Sequence, residues 1–280
     1  MSFRTLIATA ELSQHLSDPD WVVIDCRHEL TDAHAGRAEY RRSHVAGAYF
    51  LDAAQDLAAP LTGTNGRHPL PDADAFAGRL SRAGVDSSKQ VVAYDAQAAI
   101  FASRLWWMLR WLGHDAVAVL DGGWSKWLRE GRPVTAETPL PAATRFIPSP
   151  HKAAVDAGFV LASLGKPDLM LLDARSPDRF RGENETLDPV GGHIPGAANR
   201  FFRENLAPNG LFKSAAQLRE EYSALLQARR ARQLVHYCGS GVSACHNMLA
   251  MEIAGLPAGM LYPGSWSEWC ADPSRPRAVG

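Results

Sequence analysis

The sequence has no apolar run near the roughly 20 residues that a membrane-spanning helix requires, and no block of like charge. Its 29 Lys and Arg residues balance 30 Asp and Glu, leaving a formal net charge of -1. Nucleic-acid and anionic-membrane partners usually leave a basic patch or tail, so neither is expected. Cysteine is scarce: Cys26, Cys238, Cys245 and Cys270 are the four in 280 residues. Four thiols in a chain this long do not suggest a disulfide framework. Reduced thiols in a cytoplasm are expected, with one of them kept for its reactivity. Met1 to Asp20 carries only a scrap of apolar sequence, Leu6-Ile7-Ala8, and predicts no secretory leader. Cys245 and His246 are adjacent, but no second pair follows at zinc-binding spacing, so no metal site is expected.

What the sequence does contain is itself, twice. Val22-Val23-Ile24-Asp25-Cys26-Arg27 resembles Leu171-Leu172-Asp173-Ala174-Arg175, each an apolar run ending in an Asp and an Arg. Ser43-His44-Val45-Ala46-Gly47-Ala48 matches Gly192-His193-Ile194-Pro195-Gly196-Ala197, and Val91 to Asp95 matches Leu234 to Cys238. Asp121-Gly122-Gly123-Trp124-Ser125-Lys126-Trp127 matches Pro263-Gly264-Ser265-Trp266-Ser267-Glu268-Trp269. Four blocks in the same order at nearly constant separation indicate duplication of a whole domain. The prolines at 133, 139, 141, 148 and 150 mark the seam, because such a stretch favours an extended linker. The predicted division is 1–135, a linker over 136–150, and 151–280.

Within each half, apolar runs of strand length alternate with amphipathic stretches. Ala99 to Leu112 is the clearest helix, with Phe101, Leu105, Met108, Leu109 and Leu112 on one face. Alternating strands and helices predict an α/β fold with a mainly parallel sheet flanked by helices in each half. Sites in such sheets lie at the carboxyl ends of strands, where Asp95 and Cys238 fall.

The strongest chemical signal is His236-Tyr237-Cys238-Gly239-Ser240-Gly241-Val242-Ser243, followed by the helical stretch Ala244 to Ala254. A cysteine ends a strand, small residues form a loop, and a helix begins. The glycines let the backbone curl so that several N–H groups point at one spot, and the helix N-terminus adds partial positive charge. That setting favours a thiolate at Cys238 and suits the charge of a persulfide formed on it. Ser240 and Ser243 add hydroxyl donors to the rim. A phosphatase also uses a cysteine in an anion nest, but it needs an arginine to close the loop, and that position is Ala244.

The pattern Cys-Gly-Ser-Gly-Val-Ser resembles the active loop of 3-mercaptopyruvate sulfurtransferases. The Gly-His-Ile-Pro-Gly-Ala and Gly-Ser-Trp-x-Glu-Trp blocks are similar to those of the rhodanese superfamily, and the resemblance covers nearly the whole chain. It implies two tandem rhodanese-like domains, the first catalytically inactive because Asp95 stands at the cysteine position. It implies Cys238 as nucleophile, with Gly239, Gly241, Val242 and Ser243 lining the anion site. Neutral residues at 239 and 240, where thiosulfate-using relatives carry cations, favour a monoanionic donor such as 3-mercaptopyruvate over thiosulfate. Arg181 is expected to grip the donor carboxylate, and Arg179 to be structural or solvent-facing. The second arginine common in mercaptopyruvate enzymes is missing from the short loop Asn184 to Pro189. His68 stands where the family has a histidine from the first domain. With Ser240 and an orienting carboxylate, Asp52 or Asp56, it would relay a proton to the leaving group, and Arg67 beside it would add an anion contact. His44, His193 and the pairs Asp25/Arg27 and Asp173/Arg175 read as structural.

The implied reaction takes sulfur from a small-molecule donor to a thiol, cyanide or thioredoxin-like acceptor, with no metal or organic cofactor. The alternatives are a thiosulfate:cyanide sulfurtransferase and a non-enzymatic persulfide carrier or docking protein.

Overall fold

The structure is a computed structural model that describes residues 2–140, 142, 144–150, 154–229 and 233–280. It separates into two units, Met1–Ala59 with Pro71–His151, and Pro60–Leu70 with Lys152–Gly280. The segment 60–70, which precedes the seam in sequence, thus packs as part of the second unit.

The first unit runs β1 Leu6–Ile7, α1 Thr9–Leu12, β2 Trp21–Asp25, α2 Ala35–Arg42, β3 His44–Val45, β4 Tyr49–Phe50 and α3 Ala73–Arg82. It continues β5 Gln90–Tyr94, α4 Ile100–Trp111, β6 Val117–Leu120, α5 Gly123–Arg129 and β7 Val134–Thr135. Its main sheet is parallel in the order β1-β6-β5-β2-β4, and β3 pairs antiparallel with β7. The second unit runs α6 Ala157–Ser163, β8 Leu169–Asp173, α7 Pro177–Arg181, β9 Ala198–Asn199, a 3-10 turn Phe202–Asn205 and α8 Ala215–Arg229. It ends with β10 Gln233–Tyr237, α9 Ser243–Ile253, β11 Met260–Leu261 and α10 Ser265–Ala271. Its sheet is parallel in the order β11-β10-β8-β9.

The apolar runs form the central strands because both faces of a helix-covered parallel sheet are buried. All of β5 and β6 is buried, as are the last four residues of β2, β8 and β10. Of the five residues predicted for the inner face, four lie in α4 and Leu112 is its C-cap; all five are buried, and so are Trp106 and Trp107. The helix is therefore enclosed on more than the predicted stripe. Local signals set helix starts: Asp72 accepts a hydrogen bond from the Ala75 N–H at 3.0 Å, and Asp156 from the Phe159 N–H at 2.7 Å.

The duplication extends to individual atoms. Arg27 pairs with Asp25 and donates to the Ser43 carbonyl, while Arg175 pairs with Asp173 and donates to the Gly192 carbonyl, all four contacts at 2.7 Å. The two guanidinium groups lie over Trp124 and Trp266. His44 stacks on Tyr40, and His193 on Phe180. The Tyr94 hydroxyl accepts from the Val45 N–H, and the Tyr237 hydroxyl from the Ile194 N–H. These residues are the frame of each unit, as their presence in both copies implies.

Between the repeats, Thr144 donates to the Val85 carbonyl, the Phe146 N–H to Ser81, and the Ser149 N–H to the Leu112 carbonyl. The later part of the Pro-rich stretch is thereby tied to the first unit. Pro141 and Ala143, within the predicted linker, and the predicted start of the second domain at His151 to Ala153 lie outside the described residues. Among the described residues no helix is long and apolar enough to cross a membrane.

His236 is fully buried in β10, between β8 and β11. Desolvation pushes its pKa from 6.5 down to about 3. The folded state therefore keeps it neutral where the unfolded chain takes up a proton. Its contribution to stability is complete above pH 6.5 and is lost as the pH falls towards 3, at up to about 1.4 kcal/mol per pH unit. Urea denaturation between pH 7 and 4.5 is expected to give a slope that flattens by about one proton in His236→Leu; an unchanged slope would refute this.

Candidate active site at the Cys238 loop

Cys238 follows the last residue of β10 and is only 2% exposed. Its backbone is clamped by the Gly264-Ser265-Trp266-Ser267 turn. The Cys238 N–H donates to Ser265 Oγ at 3.1 Å, and the Trp266 N–H donates to the Cys238 carbonyl at 2.9 Å. The Ser267 N–H donates to the Gly239 carbonyl, also at 2.9 Å. Gly241 has φ of +75°, and a Cβ there would collide with the Pro263 carbonyl oxygen. The loop thus turns in left-handed backbone where only glycine fits. Val242 is the N-cap of α9 and Ser243 its first residue, so the helix axis begins at the loop.

The first unit shows what such a loop binds. Asp95 follows β5 as Cys238 follows β10, and its loop to Ala99 has the same length as Cys238 to Val242. The positive φ at Ala98 corresponds to that at Gly241. Asp95 Oδ1 accepts from the N–H groups of Gln97 and Ala99 at 2.9 and 2.8 Å, and Oδ2 from those of Phe101 and Ala102 at 2.8 and 2.9 Å. Burial pushes this carboxyl up, and the four N–H groups pull it back. The loop of the first unit is an anion nest filled by its own side chain. The residues at the positions of the four donors are Ser240, Val242, Ala244 and Cys245, of which the Cys245 N–H is instead bonded to the Val242 carbonyl at 3.1 Å.

His68 belongs to the second unit and meets Ser240, with Nδ1 2.8 Å from Oγ and both side chains buried. Asp52 lies in the first unit, where its carboxylate accepts from the Ala54 and Gln55 N–H groups and stands 3.9 Å from His28. Asp56 accepts from the Asp52 N–H in the same turn.

The guanidinium groups nearest Gly239 are those of Arg67 and Arg179. A Cβ on Gly239 would lie 2.7 Å from Arg67 Nη2 and 3.5 Å from Arg179 Nη2. Arg181 instead pairs with Glu183 at 2.7 Å, with its side chain 44% exposed. The two arginines are two positions apart on α7, roughly 200° around a helix, so they face opposite ways. Arg179 rather than Arg181 reaches the loop. Its partners come from the segment that lacks the expected arginine. Glu185 takes Arg179 Nε at 3.0 Å and Nη2 at 2.8 Å, while Asp188 takes Arg67 Nε at 3.0 Å and Nη2 at 3.1 Å. Burial pushes the Glu185 carboxyl up, but the Leu187 N–H and Arg179 outweigh it and hold it below the ordinary glutamate range. Sequence reasoning noticed the missing arginine but not the two carboxylates that stand in its loop. Their spacing, Glu185 and Asp188 on either side of Leu187, was the available signal.

Fold and site together define a tandem α/β protein with a loop that starts at a cysteine in one copy and a carboxylate-filled loop in the other. The Rhodanese-like domain profile matches residues 8–130 and 156–272, and the chain belongs to that family. It is 46% identical over 283 residues to a probable 3-mercaptopyruvate sulfurtransferase of Pseudomonas aeruginosa, covering 100% of both chains. It is 34% identical over 287 residues to a thiosulfate sulfurtransferase of Cricetulus griseus, covering 95% of this chain and 92% of that one. The solved 3-mercaptopyruvate sulfurtransferase from Leishmania major superposes with a TM-score of 0.82 at 28% identity, covering 95% of this chain and 74% of that one.

Removing the Asp95 carboxylate strands four N–H donors, two of them in buried and two in part-buried hydrogen bonds. Asp95→Ala is expected to cost about 2–4 kcal/mol in denaturant unfolding of the first unit. A loss under about 0.5 kcal/mol, the range of an indifferent surface change, would show that the carboxylate does not hold this loop.

Proposed function

We infer that the chain transfers a sulfane sulfur from 3-mercaptopyruvate, through a persulfide on Cys238, to a thiol or cyanide acceptor. The chain is a sulfurtransferase of the rhodanese type, carrying sulfur on a cysteine. The observation that carries the site assignment is the likeness of the two loops. A loop that holds a carboxylate through four N–H groups in one copy begins with a thiol in the other and leads into a helix at the same distance.

In the first half-reaction the Cys238 thiolate attacks the donor sulfur. A sulfur–sulfur bond forms, the carbon–sulfur bond breaks, and its electron pair leaves on pyruvate enolate. The donor's mercapto proton ends on the enolate carbon, relayed by Ser240 and His68 at their 2.8 Å contact. Pyruvate departs and Cys238 carries a persulfide anion, which the loop N–H groups hold. In the second half-reaction a thiol, or cyanide, attacks the outer sulfur and the Cys238 thiolate returns. We assign the grip on the donor carboxylate to Arg179 instead of Arg181, because Arg179 stands beside Gly239. The first domain, with Asp95 in its nest, has no nucleophile there and is proposed to be catalytically silent.

Thiosulfate is the second reading, favoured by the two guanidinium groups at Gly239. Against it, Glu185 and Asp188 neutralise both cations, leaving little to compensate a dianion. The four free, buried cysteines suit a reducing compartment, and we assign the chain to the cytoplasm, with a thiol such as a thioredoxin-like protein as acceptor.

Thiocyanate formation from each donor tests this. Cys238→Ser is expected to lose activity by about a thousandfold or more, and Ser240→Ala by about a hundredfold with 3-mercaptopyruvate. Mass spectrometry of the wild type after donor alone should find one added sulfur on Cys238. Full turnover by Cys238→Ser would remove the nucleophile assignment, and preference for thiosulfate would overturn the donor.

A further inference from the structure

Gly239 is the first residue after the cysteine, and its missing side chain is not empty space. The volume a Cβ would take is filled by the guanidinium of Arg67, which arrives from a segment distant in sequence. Three contacts fix that arginine. Its N–H donates to Ser267 Oγ at 3.0 Å, on the turn that also clamps the Gly239 carbonyl. Its Nε and Nη2 form a two-point pair with Asp188, whose side chain is only 2% exposed. The preceding Gly66, at φ of +80°, lies against the Gly264 carbonyl, so the backbone of the 60–70 segment is seated on the same turn.

The pair with Asp188 engages one edge of the guanidinium, Nε with Nη2. Arg179 is held in the same way by Glu185 through its own Nε and Nη2. Among the described residues neither Nη1 has a protein acceptor, and the two side chains keep 26% and 20% of their surface exposed. Two guanidinium groups therefore flank Gly239, each oriented by a buried carboxylate and each with donors still to spend. Planar forks held from behind are suited to an incoming carboxylate.

We propose that Arg67 is a specificity-determining residue: with Arg179 it forms a two-arginine cradle for the carboxylate of the sulfur donor, replacing the arginine absent from 184–189. Asp188 and Glu185 are its positioning residues. Glycine at 239 is required because any side chain there would evict Arg67. The donor class is a 2-oxo acid carrying a mercapto group, bound by its carboxylate. The inference rests on the sulfur-transfer reading above.

The test compares 3-mercaptopyruvate with mercaptoacetone, which has the same mercapto ketone but no carboxylate, in wild type, Arg67→Gln and Arg67→Lys. In Arg67→Gln, kcat/KM for 3-mercaptopyruvate is expected to fall about 10- to 100-fold, mainly through KM, as loss of a charge-assisted contact implies. The value for mercaptoacetone should change by less than about threefold, and Arg67→Lys should recover part of the loss. Calorimetric titration of 3-mercaptopyruvate into Cys238→Ser, with and without Arg67→Gln, reads the same loss as affinity without turnover. Equal losses on both donors would mean that Arg67 only supports the loop, and no loss on either would mean it has no part; both overturn the proposal. If Arg67→Gln fails to fold, the Arg67→Lys comparison decides between the same outcomes. A wild type that transfers sulfur from no donor fails the underlying reading instead, which separates the two.

Discussion

One buried ion pair sits beneath everything the second unit does. Asp173 at the end of β8 and Arg175 two residues on are almost wholly inaccessible, bonded through both carboxylate oxygens. Removing one partner of such a pair costs about 3–5 kcal/mol, because the survivor is left charged and unsolvated. The guanidinium also donates to the Gly192 carbonyl and lies over Trp266, whose N–H holds the Cys238 carbonyl. Its remaining nitrogen reaches Glu185, the residue that orients Arg179. A single charge pair thus ties the sheet, the Gly-His-Ile-Pro-Gly turn, the α10 turn and, through Glu185, Arg179 to one rigid frame. The same pair, Asp25 with Arg27, performs the structural half of that work in the first unit.

The sequence was most legible where physics repeats. Apolar runs, the Asp-x-Arg ends, the His-x-x-Gly-Ala turns and the Trp pairs each occur twice, and each occupies the same structural position in its unit. The parallel sheets, α4 and α9 followed from periodicity because burial on both faces leaves few alternatives. The turn that carries Cys238, Ser240 and Gly241 was readable because strand, glycine turn and helix are contiguous in the chain. The arginines were not. Arg179 and Arg181 look alike in sequence, and only the sense of a five-residue helix separates the one beside the loop from the one paired with Glu183. Nor does chain order reveal that residues 60–70 pack with the second unit. That packing brings Arg67 and His68 to Gly239 and Ser240, across more than half of the chain.

The two loops also explain why duplication need not duplicate chemistry. A ring of N–H groups around a strand end is an unsatisfied, electropositive site whatever residue starts the loop. In the first copy Asp95 discharges it permanently, which stabilises the turn and leaves nothing to react. In the second, the starting residue is a cysteine, and on the proposed reading the loop's capacity for negative charge is kept for the persulfide. The proposed persulfide places its charge one atom farther out than a thiolate, at about the reach of the Asp95 carboxylate oxygens.

Charge balance then bears on which donor such a site takes. A loop with cations of its own attracts anions strongly, but it also holds the product. Here the loop supplies only neutral N–H and hydroxyl donors, and the nearby guanidinium groups are matched one for one by Glu185 and Asp188. In the proposed cradle a monoanionic donor gains directed hydrogen bonds from the outward edges of the two forks without needing a surplus of positive charge. A dianion would need that surplus to offset its desolvation. The same neutrality eases the return step, since an acceptor thiolate approaching the persulfide meets fixed dipoles rather than a cation that would retain the outer sulfur. On the proposed reading, discrimination among anions in this site is set by the shape and direction of donors more than by net charge.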